Sequence, residues 1–143
     1  MPEKPRDIRK LTIPSSMQMV ERAEEMTCEV LKRAGLSEED EDCVCMAVME
    51  AVINAIVHGN HQDPAKQVDL EFDVGEEAIA VIVRDQGDGF DPNALPDPRA
   101  PENLLKASGR GILMIRACMD EVEIRSSHGK GTEVRMVKRA CHP

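Results

Sequence analysis

A chain of 143 residues with 41% hydrophobic content can bury one core but not two, so a single domain over 1–143 is expected. With 18 basic against 27 acidic residues, the net charge of −9 excludes a nucleic-acid footprint and an anionic membrane surface, both of which need clustered Lys and Arg, and leaves a basic protein partner open. The N-terminal Met-Pro-Glu-Lys-Pro-Arg-Asp has no apolar core of signal-peptide length, and no uninterrupted apolar stretch looks long enough to span a bilayer, so a cytoplasmic protein is expected. Five cysteines (Cys28, Cys43, Cys45, Cys118 and Cys141) form no C-x-x-C pair and suit small reduced core residues better than disulfides or zinc ligands. Cys43 and Cys45 lie two apart on a helix and should face different ways. Only two Phe and no Trp or Tyr are present, which leaves nine Met to fill the core gaps.

In chain order, Ile8 to Ile13 reads as a short strand, ended by Pro14 and the Ser15-Ser16 cap signal. Met17, Val20, Ala23, Met26, Val30, Leu31 and Ala34 then recur at helical spacing until Gly35. Ser37 followed by Glu38-Glu39-Asp40 is a capping-box start with an acidic first turn. It launches an apolar helical run, Cys43 to Asn60, which Gly59 and Asn60 end. Within that run Glu50, Asn54 and His58 fall four apart on one stripe, while Val44, Ala47, Val48, Ala51, Val52, Ala55 and Ile56 wrap most of the remaining surface. A carboxylate and a carboxamide one turn apart on a buried helix need partners. They are either a hydrogen-bonded core pair or oxygen ligands for a hard cation.

Val68, Leu70, Phe72 and Val74 alternate with polar residues, Gly75-Glu76-Glu77 makes a turn, and the apolar run Ala78 to Val83 suits a central strand. Directly after it, Asp85-Gln86-Gly87-Asp88-Gly89-Phe90 sets a carboxylate before glycines that let a ligand approach the backbone, although strand-ending turns share this pattern. From Gln86 to Ser108 periodicity disappears, and Pro92, Pro96, Pro98 and Pro101 exclude regular structure, so a lid is expected there. Gly109-Arg110-Gly111 then opens an apolar helix, Ile112 to Met119, whose free N–H groups and dipole favour an anion such as phosphate. Two strands, Val122 to Ser126 and Thr132 to Val137, close the domain around the turn His128-Gly129-Lys130-Gly131, and Lys138 to Pro143 should fray. Neither G-x-x-x-x-G-K-[ST] nor a strand-borne G-x-G-x-x-G occurs, which excludes a P-loop and a dinucleotide fold.

Taken together, the Glu50/Asn54 helix, the Asp85 turn and the Gly109-Arg110-Gly111 helix start resemble the N, G1 and G2 boxes of the GHKL ATPase superfamily, which includes gyrase, mismatch-repair proteins and histidine kinases. More narrowly, Glu-Ala-Val-x-Asn-Ala-x-x-His-Gly-Asn, Arg-Asp-x-Gly-x-Gly-Phe-Asp-Pro, Gly-Arg-Gly-Ile-x-x-Ile-Arg and the closing Gly131-Thr132-Glu133-Val134 are similar to the stand-alone anti-sigma-factor serine kinases. The resemblance implies a Bergerat-fold α/β sandwich, with a mixed, mostly antiparallel sheet, helices on one face, and ATP with Mg²⁺ between helices and lid. It implies Glu50 as general base and Asn54 as the Mg²⁺ ligand. Asp85 would accept from the adenine amino group, Gly87 and Gly89 would shape the adenine pocket, and Thr132 would contact the base or its bound water. Gly109 and Gly111 would present N–H groups to the phosphates, and Arg110 could touch the γ-phosphate. His58 would be either a satisfied helix-end histidine or a phosphate or lid contact, and Asp88 would cap its own turn. The implied partners are a sigma factor, an anti-anti-sigma protein and a second copy of the chain. The residues alone do not separate a protein serine kinase from an ATPase. A non-catalytic module gated by ATP against ADP is the alternative, and an isolated histidine-kinase-type ATPase domain a more distant one.

Overall fold

In the computed structural model, which describes residues 7–87, 111–126 and 129–140, the chain runs β1 (Asp7–Pro14), α1 (Val20–Leu31), α2 (Glu38–Asn54), β2 (Gln67–Val74), β3 (Ala78–Arg84), α3 (Gly111–Cys118), β4 (Glu121–Ser126) and β5 (Thr132–Arg139). The alternating strands form one five-stranded sheet in the order β1-β2-β3-β5-β4. Every pair is antiparallel, so the run Ala78 to Val83 lies at the centre of the sheet as its continuous apolar character requires.

Local signals fix the helix ends. The Ser16 hydroxyl accepts from Gln18 N at 3.3 Å and starts a short 3₁₀ turn, Met17–Met19, that leads into α1. Gly35, at φ +72°, closes the connection after α1 in a conformation that glycine adopts without strain. Ser37 caps α2 through a 3.1 Å bond from Asp40 N, with Glu38, Glu39, Asp40 and Glu41 in the positive first turn.

After Asn54 the helix widens into a π-helical stretch, Ala55–Gly59, so that helix runs without a break over 22 residues from Glu38 to Gly59. By length and composition this segment could cross a bilayer, contrary to the expectation above, which counted only uninterrupted apolar residues. Here it is the core helix. Val44, Ala47, Val48, Ala51, Val52 and Ile56 are each at most 2% exposed, and they pack in one cluster with Ile13, Val68, Leu70, Phe72, Ile79, Val81, Val83 and Met136 of the sheet. Val30 and Leu31 of α1 and Ile115 of α3 complete the helical layer.

Three expectations change. Cys43 and Cys118 are joined by a disulfide, because the first half of α2 lies beside the end of α3 and brings their Cα atoms to 5.2 Å. β5 continues to Arg139 instead of fraying after Val137: Lys138 reaches Asp40 and Asp120, and Arg139 N donates to Asp120 Oδ2 at 2.6 Å. Met119 and Met136 are buried as gap-fillers, but Met17 and Met46 are 45% and 54% exposed. Of the expected lid, Gln86 and Gly87 are described. Residues 88–108 lie outside the described residues, as do Gly89, Gly109, Arg110 and His128.

Candidate functional site

Asp85 follows the last residue of the central strand β3, and three backbone groups hold it there. Its own N–H donates to Thr132 O at 3.0 Å, while its Oδ1 accepts from Gly87 N at 2.9 Å and from Thr132 N at 3.0 Å. No hydrogen bond reaches Oδ2 among the described residues; that oxygen faces Gly59, where a Cβ would collide with the carboxylate. A Cβ at Gly131 would likewise strike Asp85 O, and its φ of +77° also asks for glycine. Burial pushes the Asp85 carboxyl above its ordinary value, and the Gly87 and Thr132 N–H groups oppose that rise without cancelling it. The result is a half-desolvated carboxylate with one oxygen committed to the backbone and the other available to an N–H donor.

Gly87 and Thr132, both read from the sequence as pocket residues, therefore hold the acceptor itself. The Thr132 hydroxyl sits 3.0 Å from Ser126 Oγ across the β4–β5 hairpin.

The second half of the site lies earlier on α2. Glu50 is partly buried and Asn54 is 8% exposed. The first residue of α3, Gly111, lies so close that a Cβ there would collide with Glu50 Oε1 and come within 3.0 Å of Asn54 Nδ2. The helix start expected to bind phosphate thus abuts the expected metal ligand and base. Asn54 and Gly59 lie on one continuous helix, so the two groupings are carried by a single element. Glu50 and Asn54 offer oxygen donors suited to Mg²⁺, which takes one or two protein oxygens and leaves its other positions to water and phosphate. Among the described residues no three His, Cys, Asp or Glu groups converge on a metal position, so an all-protein cage of the zinc kind does not form there. His58, one turn beyond Asn54, lies half-buried in the π-helical stretch.

Two residues that the sequence marked as helix terminators and as the end of the helix motif, with no role of their own, pack beside Asp85 and its turn. Gly59 gives the Asp85 carboxylate room, and Asn60, fully buried, donates from Nδ2 to Ser15 Oγ at 2.6 Å and to Gln67 O at 2.9 Å, while its Oδ1 accepts from Gln86 N at 2.7 Å. Spacing along the chain could not reveal this, since the partners come from elsewhere in the fold.

Comparison with known proteins agrees with this geometry. Residues 13–138 match the family described as the histidine kinase-like ATPase domain. The chain is 27% identical over 129 residues to the serine-protein kinase RsbW of Oceanobacillus iheyensis, covering 86% of this chain and 82% of that protein. It is 37% identical over 97 residues to an anti-sigma F factor of Clostridium perfringens, covering 65% and 68%. Among solved structures, the RsbU and RsbW domains of Rv1364c from Mycobacterium tuberculosis superpose with a TM-score of 0.71 at 19% identity, over 96% of this chain and 33% of that one. That likeness establishes the α/β sandwich.

Proposed function

Because the chain belongs to the histidine kinase-like ATPase domain family, we propose that it is an ATP-dependent protein serine kinase that acts as an anti-sigma factor, binding a sigma factor and phosphorylating an anti-anti-sigma protein on serine. The observation that carries the reading is the placement of two half-sites on one helix: Glu50 and Asn54 against Gly111, and Gly59 against the Asp85 carboxylate.

In this reading Asp85 Oδ2 accepts from the adenine amino group, and Gly87 and Thr132 keep Oδ1 from turning away. The backbone N–H groups at Gly109 and Gly111 receive the phosphates at the start of α3, with Arg110 beside the γ-phosphate and Gly89 against the base. Asn54 would hold Mg²⁺, which would supply neutralisation of the phosphate charge. Glu50 takes the proton of the acceptor serine as that oxygen bonds to the γ-phosphorus and the bond to the bridging oxygen breaks, releasing ADP. The chain works in the cytoplasm as a homodimer. Support for the dimer is β1, an edge strand among the described residues, where Ile8 is 54% exposed. The net charge of −9 suits a partner with a basic surface.

A labelled-phosphate assay with a candidate anti-anti-sigma protein, run beside nucleotide titration and a sigma-factor pull-down, tests this. Transfer to a serine of the antagonist, dependent on Mg²⁺, is expected. A protein that binds Mg-ATP and its sigma factor yet labels no protein is the gated module instead.

A further inference from the structure

Among the described residues beside the site, Asn60 has every polar group of its side chain engaged. Its carboxamide uses both N–H donors and its oxygen at once, and each bond goes to a different segment: Ser15 after β1, Gln67 at the start of β2, and Gln86 after β3. The Gln86 side chain returns the contact, since its Oε1 accepts from Gln67 N at 2.7 Å. Gln86 is therefore gripped at its backbone by Asn60 and at its side chain by Gln67. It is the residue between Asp85 and Gly87, the turn whose N–H fixes Asp85 Oδ1.

Asn60 is itself buried with every polar group of its side chain paired, so it specifies one geometry, and its loss leaves those partners unpaired. Aspartate lacks the N–H donor that Gln67 O accepts from, and serine is too short to span three segments. The π-helical stretch before Asn60 contributes by bonding Asn60 N to Ala55 O at 2.8 Å, which sets the carboxamide at the level of the turn.

We infer that Asn60 is a positioning residue for base recognition, holding the Asp85-Gln86-Gly87 turn through Gln86 N so that Asp85 Oδ2 is aimed at the adenine amino group. The inference rests on the reading of Asp85 as the adenine acceptor, and its test keeps the two apart.

The test is a double-mutant cycle read by calorimetric titration of ADP and GDP without metal, for wild type, Asn60→Ser, Asp85→Asn and the double variant, with melting temperatures alongside. Asn60→Ser should weaken ADP by about 10- to 100-fold and erode the preference for ADP over GDP, because the acceptor is no longer aimed. In the Asp85→Asn background the same change should cost ADP affinity little more, since there is no aimed oxygen left to lose. If Asp85→Asn loses ADP but the two losses multiply, Asn60 is only structural and the positioning role falls while the base reading stands. If Asp85→Asn binds ADP like wild type, the base reading itself falls and takes the inference with it. Should Asn60→Ser not fold, Asn60→Asp replaces it, since it matches the carboxamide in shape and removes the N–H donor that anchors it to Gln67 O. A few-fold loss of ADP affinity that disappears in Asp85→Asn is expected there. A loss that persists unchanged, or none at all, overturns the inference.

Discussion

Burying the Asp85 carboxyl carries a cost for its charged form, and the sign of that cost makes a prediction. A carboxyl raised above its reference value of 3.8 binds a proton more tightly in the folded chain than in the unfolded one. The stability of the nucleotide-free protein contributed by this group therefore falls as pH rises from about 4 through the raised folded value. Asp85→Asn keeps an oxygen for the Gly87 and Thr132 N–H groups and removes the buried charge, so at neutral pH its melting temperature should equal or exceed that of wild type while ADP affinity collapses. Since ADP needs the ionised acceptor, wild-type affinity should weaken as pH drops from 7 toward that raised value. A pH-independent affinity in titrations over that range, or an unstable Asp85→Asn, would count against the assignment. Glu50 separates binding from chemistry: Glu50→Gln should keep Mg-ATP affinity and lose roughly 10²–10⁴-fold in transfer, the usual range for a general base. Unchanged transfer would reduce Glu50 to a structural neighbour of Asn54. That Glu50 and Asn54 would lie near Gly111 was legible only through the joint resemblance of three patterns to the GHKL boxes, since each pattern alone also has a purely structural reading. Gly59 and Asn60 were legible as the end of a helix and of its motif, but what they hold was not, since those partners lie 7 to 45 residues away.

Elements were read well where one period ruled them, as in β2, β3 and α2, and less well where a contact between elements decided the outcome. The Cys43–Cys118 disulfide is the plainest case: 75 residues separate the two, and only the docking of α3 on α2 brings them together. The facing directions of Cys43 and Cys45 were readable, because two residues on a helix diverge; Cys45 turns to α1, where its sulfur lies 3.9 Å from that of Cys28. The Cys45 thiol is pushed up to about 12 by burial and by Cys28, so it is protonated at neutral pH and should react slowly with alkylating agents. The disulfide closes a long loop and contributes up to about 4 kcal/mol by the chain-entropy argument. In a reducing compartment Cys43 and Cys118 would be thiols, so the fold must stand on its apolar contacts there. Calorimetry with and without a dithiol should show a melting temperature about 10 °C lower on reduction, with cooperative unfolding retained. An identical melting temperature would mean that the bond adds nothing to this fold.

At the scale of the whole molecule, one core couples the site to global unfolding. Val48, Val52 and Ile56 of α2 sit in the same buried cluster as Val81 and Val83 of β3, so Glu50, Asn54 and Asp85 hang from the two elements that form the centre of that cluster. The described part of the site shares that core, so ligand binding should appear as global stability. For 143 residues the unfolding entropy near 60 °C is about 0.3 kcal/mol/K. A ligand at a hundredfold excess over its Kd adds about 2.7 kcal/mol, so ADP under those conditions should raise the melting temperature by about 9 °C. GDP at the same concentration should raise it far less, because guanine presents a carbonyl where Asp85 Oδ2 needs a donor and two acceptors would face each other in a desolvated site. Asp85→Asn should lose the ADP shift, and Glu50→Gln should keep it. Equal shifts from ADP and GDP in the wild type would remove Asp85 from base recognition, whatever the kinase assay gives.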